Sequence, residues 1–589
     1  MRRFFLRFFA FVGLGFTLAG LVLLILVVRA VSPEPLPRAA VVELDLERGL
    51  VEDVPDDPFL LALDRRRLSV RDVVEGLERA AEDDRVRGLM VRVGSGALGL
   101  AVVEELRSAV EEFRESGKPA VLFSETFGEL GPGLGGYYLA TAFDEIVLQP
   151  SGDIGLAGMA IEIPFFQGTL EWAGIRAQGD QREEYKGVLD IFTQDGLEEP
   201  AREAFSHLLD GLFQEVVNAV AETRGLEESE VRTLLTQGPF LAQEAQELEL
   251  VDRLAYRDEV KDDLRDRLGE EVSFVSFRSY RDRADAVWDG GDRVALIYGT
   301  GPVHRGESGL DPFMGGGGSM GSETVGRAFR EAIDDDDVRA IVFRVDSPGG
   351  SYVGSDVIHR EVIRAREAGK PVVVSMSNVA TSGGYLVSAS ADRIIAQPST
   401  LTGSIGVAAG KAVLEEMWEK LRVSWDGVDV GGNSGMWSST RPFDEEEWAR
   451  VETILDTIYE EFRRKVEVGR GMDSDAVREA ARGRVWTGRQ AMDLGLVDGL
   501  GGLSAALAAV REELELDPGA SLDVRRYPEP RPLLQLLMEG GASPAASRGF
   551  DAILGGRGEL WPTVGGGAAL LNRLLERGVA TGGRLFPAG

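Results

Sequence analysis

Hydrophobic positions recur every three or four residues in some segments of the chain and form short continuous runs in others. The first pattern predicts amphipathic helices, and the runs rich in β-branched residues predict strands between them. Short buried strands that alternate with helices are typical of βαβ units with right-handed crossovers. The predicted helices are 69–81, 102–116, 198–224, 323–333, 355–368 and 445–468. We therefore expect an α/β fold.

The predicted elements occur twice because the sequence itself is duplicated. A strand-like run, a Gly-Lys-Pro turn and a Gln-Pro-Ser turn each recur, and their offset drifts only from 252 to 248 residues. Fixed-period self-similarity of this kind indicates tandem copies of one structural unit. The matched segments are Val86–Val93 with Val338–Val345, Gly117–Pro119 with Gly369–Pro371, and Gln149–Ser151 with Gln397–Ser399.

The N-terminus differs in pattern from both repeats. Arg2, Arg3 and Arg7 precede an uncharged, mostly apolar run over 8–28, which is long enough as a helix to cross the hydrocarbon layer of about 30 Å. Basic residues before such a run favour a cytoplasmic N-terminus, with the rest of the chain outside the cytoplasm. A cleaved signal peptide is the alternative, although Ala30-Val31-Ser32 is only a poor version of its cleavage site. We predict a single-pass anchor in the cytoplasmic (inner) membrane.

These features divide the chain into five predicted segments. The two central ones are the repeats, and a charged stretch links them. The segments are a cytoplasmic start and transmembrane anchor (1–32), an N-terminal repeat (33–256), a linker (257–292), a C-terminal repeat (293–515) and a tail of unassigned role (516–589).

Composition narrows the possible partners and chemistry. A chain of 589 residues with 44% hydrophobic and 28% charged residues is globular, and its net charge of −34 argues against nucleic acid as a partner. The absence of cysteine excludes thiol catalysis and cysteine-ligated metals. The three histidines, His207, His304 and His359, have no metal-ligand spacing. We expect neither a metal nor a cofactor.

A serine nucleophile can be activated by a neutral lysine instead of a histidine. Arginine cannot release its proton, so each of the seven lysines in this arginine-rich chain is a candidate base. Lys118 and Lys370 occupy equivalent Gly-Lys-Pro turns, so we expect both to be structural. The local pattern around Lys186 does not distinguish a base from a solvated lysine, and a Ser-His-Asp triad that uses His359 stays open.

Three motifs in a fixed order carry a resemblance to a known family. Asp346–Ser351, Thr381–Tyr385 and Pro398–Gly406 are similar to the signature of the signal peptide peptidase family. Tyr185-Lys186, followed by Glu199–Ala204, resembles the lysine region of its long, tandem-repeat members. The resemblance implies a fold related to Clp protease and crotonase, twice repeated.

The resemblance, which covers roughly 39–502, also implies roles for individual residues. Ser382 would be the nucleophile and Lys186 the general base, with Ser404 orienting the lysine. The backbone N–H groups of Gly350 and Gly383 would stabilise the oxyanion.

The duplication provides an independent argument for one composite site. The 248-residue offset places Leu134 opposite Ser382 and Ser434 opposite Lys186. The first repeat therefore lacks a nucleophile and the second lacks a base, as expected if the two repeats complete a single site.

We predict a membrane-anchored serine endopeptidase that degrades short apolar peptides. The resemblance implies remnant signal peptides as substrates and a homo-oligomer, a tetramer in long members. Two alternatives remain open at this point: a catalytically inactive membrane scaffold of the same fold, and a crotonase-like acyl-CoA enzyme.

Overall fold

A computed structural model of the protein describes residues 35–53, 67–94, 98–284, 287–311 and 317–528. The predicted anchor at 8–28 and most of the predicted tail lie outside the described residues. Within these ranges, no helix combines the length and the apolar character that crossing a membrane requires.

The N-terminal repeat is built on a six-stranded parallel sheet, called here the N-terminal sheet. Its central strands are buried on both faces, which explains why they appear in the sequence as continuous apolar runs. From one edge to the other, the strands are Arg253–Leu254, Glu145–Leu148, Ala120–Ser124, Val86–Val93, Ala40–Asp45 and Ser273–Ser276.

The C-terminal repeat contains a second sheet, the C-terminal sheet, with six parallel strands in the same order. A short strand, Leu401–Gly403, also pairs with the central strand Val372–Thr381. The strand Val485–Thr487 pairs with Leu401–Gly403 in the antiparallel direction. The six equivalent strands are Gly499–Leu500, Arg393–Ala396, Val372–Thr381, Val338–Ser347, Asp292–Thr300 and Leu522–Tyr527. The predicted α/β architecture is thereby confirmed.

Equivalent side chains make equivalent contacts in the two repeats. Tyr137 donates its hydroxyl hydrogen to the Leu250 carbonyl, and Tyr385 donates to that of Leu496. Lys118 donates from Nζ to carbonyls at the C-terminal end of the helix Val70–Glu82, and Lys370 donates in the same way at the end of Ser322–Asp334, as expected for structural lysines.

Helices cover the faces of both sheets, and capping fixes where several of them begin. For example, the first helix starts after Ser69, whose hydroxyl accepts the N–H of Asp72 while the Asp72 carboxylate accepts the N–H of Ser69. The helices are Val70–Glu82, Leu100–Glu115, Leu134–Ala140, Gln167–Ala173, Asp190–Thr193, Glu199–Arg224, Glu228–Gln237, Ala242–Glu247, Arg257–Leu268, Phe277–Arg281, Ser322–Asp334, Tyr352–Glu367, Gly383–Ser388, Glu415–Lys420, Glu445–Arg470, Ser474–Ala480, Gly488–Asp493 and Leu503–Glu513.

Paired short strands complete the secondary structure. The longest pair joins the two repeats as an antiparallel ribbon, Arg176–Gln181 with Ala408–Val413. The other pairs are Leu50–Val51 with Leu68–Ser69, Asp153–Ile154 with Phe240–Leu241, Val303–His304 with Met320–Gly321, and Leu310–Asp311 with Gly317–Gly318.

Two segments outside the predicted repeats belong to the sheets. The predicted linker, 257–292, contains a helix and the edge strand Ser273–Ser276, which pairs with Ala40–Asp45. The start of the predicted tail contributes Leu522–Tyr527 to the C-terminal sheet. The sequence did not predict these short strands, because many charged residues surround their few buried side chains, such as Val275 and Val524.

Candidate active site

Ser382 lies at a sharp turn between a strand and a helix. It follows the central strand Val372–Thr381 and precedes the helix Gly383–Ser388. Its backbone angles are φ 53° and ψ −116°, a conformation that is costly for a residue with a side chain. The Gly403 carbonyl accepts its N–H at 2.8 Å, which helps to hold the turn. The half-buried serine is thus presented at the end of the C-terminal sheet.

Lys186 reaches this serine from the other repeat. It lies in the loop after the strand Arg176–Gln181, and that strand pairs with the C-terminal repeat through the ribbon described above. Further contacts fix the loop, since Tyr185 donates its N–H to the Arg482 carbonyl at 3.2 Å. Gly483 allows the close approach, because a Cβ at this position would lie 2.6 Å from Cβ of Lys186.

The Lys186 amine has three oxygen atoms around it. Nζ lies 3.2 Å from Oγ of Ser382, 2.9 Å from Oγ of Ser404 and 2.7 Å from the Ser404 carbonyl oxygen. A neutral amine has two N–H donors and one lone pair. It can therefore donate to both oxygens of Ser404 while it accepts the hydroxyl hydrogen of Ser382.

Burial favours this neutral form. Lys186 is 3% exposed, and desolvation lowers its pKa from the ordinary 10.5 to about 7. A buried ammonium loses hydration that the protein must replace. A lysine with a pKa near neutrality is half unprotonated there and is suited to general-base chemistry.

The two glycines predicted to stabilise the oxyanion, Gly350 and Gly383, lie close together in space. A Cβ placed on Gly383 would lie 3.2 Å from the backbone N of Gly350. Gly350 pairs with Val303 in an isolated bridge, but this bridge uses the Gly349 carbonyl and the Ser351 N–H, so the N–H of Gly350 is not consumed by it. Gly383 is the first residue of its helix, where a backbone N–H has no intrahelical acceptor. Both N–H groups can serve a developing oxyanion.

A pocket lies beside the lysine. Its empty space, including the open mouth, is about 680 Å³. Lys186 and Ser404 form part of its wall, whereas Ser382 does not. Apolar side chains supply most of the remaining wall: Ile163, Phe165, Val188, Ile191, Leu197, Ala201, Ala204, Phe205, Leu208 and Val485.

Comparison with known proteins bears on this arrangement. The profile of peptidase family S49 matches residues 112–271 and 364–517, once in each repeat. The chloroplastic serine protease SPPA of Arabidopsis thaliana is 30% identical over 501 residues, which cover 84% of this chain and 72% of that protein. The chain belongs to peptidase family S49. The predicted family and the predicted class of enzyme, a serine protease, are thereby confirmed.

Bacterial members of the family are similar over comparable lengths. Protease 4 of Salmonella typhi is 32% identical over 461 residues (76% of this chain, 72% of that protein), and Protease 4 of Haemophilus influenzae is 28% identical over 465 residues (75% and 72%). A solved ClpP1 mutant from Listeria monocytogenes aligns with 37% of this chain at 16% identity and a TM-score of 0.23, which is too low to establish a common fold. The roles of the individual site residues remain predictions.

In this S49 peptidase the histidines have other partners. His359 Nε2 lies 2.8 Å from Oγ of Ser390, and burial lowers the pKa of His359 to about 4. His304 Nδ1 lies 3.2 Å from the Met320 carbonyl oxygen. The arrangement around Ser382 therefore favours the lysine over a histidine as its base.

The repeat-equivalent positions form no second site of this kind in the peptidase. Leu134, opposite Ser382, is buried in the N-terminal repeat. Ser434, opposite Lys186, is exposed and donates its hydroxyl hydrogen to the Gly431 carbonyl. Sequence reasoning missed the pocket, because its wall joins residues that lie far apart along the chain, from Ile163 to Val485.

Proposed function

We propose that this S49 peptidase is a membrane-anchored endopeptidase that uses a Ser382–Lys186 dyad and degrades short apolar peptides, such as cleaved signal peptides. The observation that carries the proposal is the 3.2 Å separation of Lys186 Nζ and Ser382 Oγ within one chain. That distance is within hydrogen-bond reach of a general base and its nucleophile.

The chemistry begins with neutral Lys186. As Oγ of Ser382 attacks the scissile carbonyl carbon, Nζ takes the hydroxyl proton, and the N–H groups of Gly350 and Gly383 stabilise the negative charge on the carbonyl oxygen. The tetrahedral intermediate collapses when the Lys186 ammonium returns that proton to the departing amine. A water molecule then repeats the sequence on the acyl-serine, with Lys186 again as the base.

The pocket supports an apolar substrate. Its wall is mainly aliphatic and aromatic, and it adjoins the proposed base. A side chain that fills such a pocket gains roughly 25 cal/mol for each Å² of apolar surface removed from water. Peptides whose side chains bury a long apolar stem are therefore the substrates that this site favours.

The location and assembly of the enzyme follow from the sequence. The apolar run over 8–28 supports a single-pass anchor in the inner membrane, with both repeats outside the cytoplasm. The resemblance to long family members supports a homo-oligomer, and light scattering of the detergent-solubilised chain should give the mass of a tetramer. Loss of membrane association on deletion of 1–32, with retained peptidase activity, tests the anchor.

The dyad is tested with four variants of the purified full-length chain. Ser382→Ala and Lys186→Ala should each lower the hydrolysis of an apolar peptide library at least 1000-fold, and a cooperative unfolding transition should show that each variant is folded. Ser434→Ala and Lys420→Ala are matched surface controls, and they should retain activity. A fluorophosphonate probe should label Ser382 in the wild type and in both control variants, and it should not label Ser382→Ala. Undiminished hydrolysis by Ser382→Ala or Lys186→Ala would exclude the dyad.

A further inference from the structure

The apolar pocket beside Lys186 contains one carboxylate among the residues that line it. This is Asp190, the first residue of the short helix Asp190–Thr193. It lies four positions after the proposed base, between the apolar wall residues Val188 and Ile191. Neither the proposed dyad nor the proposed oxyanion site uses it.

Asp190 has no cationic partner within the described residues. Three carboxylates around the site are held in ion pairs, namely Asp180 by Arg182, Glu184 by Arg482 and Glu203 by Arg484. Asp190 instead accepts one hydrogen bond, from Nε2 of Gln181 to Oδ1 at 3.1 Å. Burial raises its pKa, the charge of Glu198 adds to this effect, and the Gln181 hydrogen bond opposes it.

A second acceptor close to Asp190 also lacks a partner. Oε1 of Gln181 is shielded from solvent and makes no hydrogen bond with the described part of the chain. The amide that donates to Asp190 therefore carries an unused oxygen on the same group. Shielded acceptors without donors are rare, because an acceptor that is removed from water without a hydrogen bond is destabilising.

Local structure does not account for the carboxylate. Among the described residues, no backbone N–H of the short helix donates to it, because the helix begins after Leu189 without a side-chain cap. The backbone of Asp190 closes the turn by itself, with its N–H donated to the Gly187 carbonyl and its own carbonyl accepting from Gln194. Alanine would satisfy these backbone contacts equally well.

We infer that Asp190 makes this pocket selective for a substrate side chain with an apolar stem and a cationic end, that is, a lysine within an otherwise apolar peptide. The inference rests on the proposed peptidase function and specifies its substrate class. The lysine methylenes would pack on Val188, Ile191 and Phe205, and the ammonium would meet the Asp190 carboxylate.

Selectivity follows from what each ligand does to the half-buried carboxylate of Asp190. A lysine side chain supplies the missing charge and donors, so the carboxylate is stabilised in its ionised form. An apolar side chain of equal length would cover the carboxylate and leave it unpaired. Pockets built around a buried polar group reject ligands that lack the complementary group more strongly than apolar pockets distinguish one methylene.

The inference is tested by comparing lysine with norleucine, which has a similar stem and no charge. A peptide series with one lysine or norleucine at each successive position is assayed with the full-length chain. At one position, the wild type should have a kcat/KM at least about tenfold higher for lysine. Asp190→Asn keeps the shape of the side chain and its acceptor for Gln181, and it should abolish this preference while leaving the norleucine peptides cleaved equally well or better.

Two further variants test whether the preference depends on the position of the Asp190 carboxylate and not on the loss of any nearby charge. Asp195→Asn removes an exposed carboxylate of the same loop that does not line the pocket, and it should leave the preference intact. Gly187→Ala should act like Asp190→Asn, because a Cβ there would lie 2.4 Å from Oδ2 of Asp190 and displace the carboxylate. Thermal unfolding checks that each variant is folded.

Binding in the Ser382→Ala background separates this inference from the proposed function. Fluorescence anisotropy with the same peptides requires no turnover, and the at least tenfold preference for lysine should appear there and vanish when Asp190→Asn is added. An unchanged lysine-to-norleucine ratio in Asp190→Asn, in either assay, overturns the inference even if the dyad is correct. Binding preference without any serine-dependent hydrolysis supports the inference and contradicts the proposed function.

Discussion

Arg344 and Glu105 form an ion pair that is buried between the two repeats. Nη2 of Arg344 lies 2.7 Å from Oε2 of Glu105, and the two side chains are 1% and 3% exposed. Glu52, also from the N-terminal repeat, binds Nε of the same guanidinium at 2.9 Å. Two carboxylates of one repeat therefore enclose an arginine of the other, and this arginine lies in the strand Val338–Ser347 that leads to the proposed oxyanion loop.

Removing the arginine should destabilise the protein strongly. Arg344→Met leaves Glu52 and Glu105 buried without a cation, and we expect a loss of about 3–5 kcal/mol in the free energy of unfolding, as for other broken buried pairs. Urea unfolding followed by tryptophan fluorescence measures the change. Arg360→Met is the matched control, since Arg360 and its partner Glu367 are 57% and 60% exposed; it should change stability by less than about 1 kcal/mol. Equal effects in the two variants would contradict this assignment of stability.

The sequence predicts some features of this fold and site and not others, and the burial of Arg344 is one that it does not predict. Both repeats could be predicted, because strand periodicity and recurrent turns are local. The positions of Ser382, Lys186 and Ser404 followed from ordered motifs, and the structure brings these three side chains together. The burial of Arg344 could not be predicted from the sequence, because an arginine in an apolar strand is buried only if a second repeat supplies carboxylates to pair with it.

The pocket and the edge strands could not be predicted for the same physical reason. The pocket wall combines the loop after Lys186 with the helix Glu199–Arg224 and with Val485 from the other repeat, and no periodicity reports such a long-range contact. Ser273–Ser276 has only four residues, which is too few for a pattern to distinguish a strand from a charged linker.

The backbone at Gly350 should be essential for catalysis. Its φ is +147°, and a Cβ would lie 2.3 Å from the carbonyl oxygen of Val303, so Gly350→Ala must shift the loop that presents the N–H. Losing one oxyanion donor lowers kcat by about 10²–10³-fold, and we expect a fall of this size with little change in KM. Gly369→Ala has a similar positive-φ cost (+78°) but no neighbour within 4 Å, and it should retain kcat. A normal kcat in folded Gly350→Ala would argue against this oxyanion site.

Ser404 should act through the lysine. Its hydroxyl lies 2.9 Å from Nζ of Lys186, while its carbonyl remains a second partner at 2.7 Å. Loss of the hydroxyl should therefore lower kcat by about 10–100-fold with KM nearly unchanged, the pattern of an interaction made in the transition state. Because φ of Ser404 is 51°, strain must be separated from chemistry, and Ser404→Gly does so. Similar losses in Ser404→Ala and Ser404→Gly would identify the hydroxyl; recovery in the glycine variant would point to strain.

The pH dependence of hydrolysis should follow the protonation of Lys186. With a pKa lowered by burial to about 7, the base is protonated and inactive at lower pH. Hence kcat/KM should rise about tenfold for each pH unit below 7 and level off above about pH 8. Lys186→Arg should be inactive throughout this range, because a guanidinium does not release its proton. A profile that is flat between pH 5 and 8 would contradict lysine as the base.

The same burial should make Lys186 a cost to stability. Between pH 7 and 10.5, the unfolded chain binds a proton on Lys186 that the folded chain does not, so this residue's contribution to folding becomes more favourable as the pH rises through that window. Below pH 7 the full penalty applies, on the order of 5 kcal/mol for the shift from 10.5 to about 7.

Lys186→Met, which fills a similar volume without a charge, should therefore raise the urea midpoint most at pH 6–7 and progressively less towards pH 10. Lys420→Met, at an exposed lysine, should show no such trend. A stability gain from Lys186→Met that does not shrink with rising pH would mean that the buried amine is not neutralised on folding, and the proposed base would lose its physical basis.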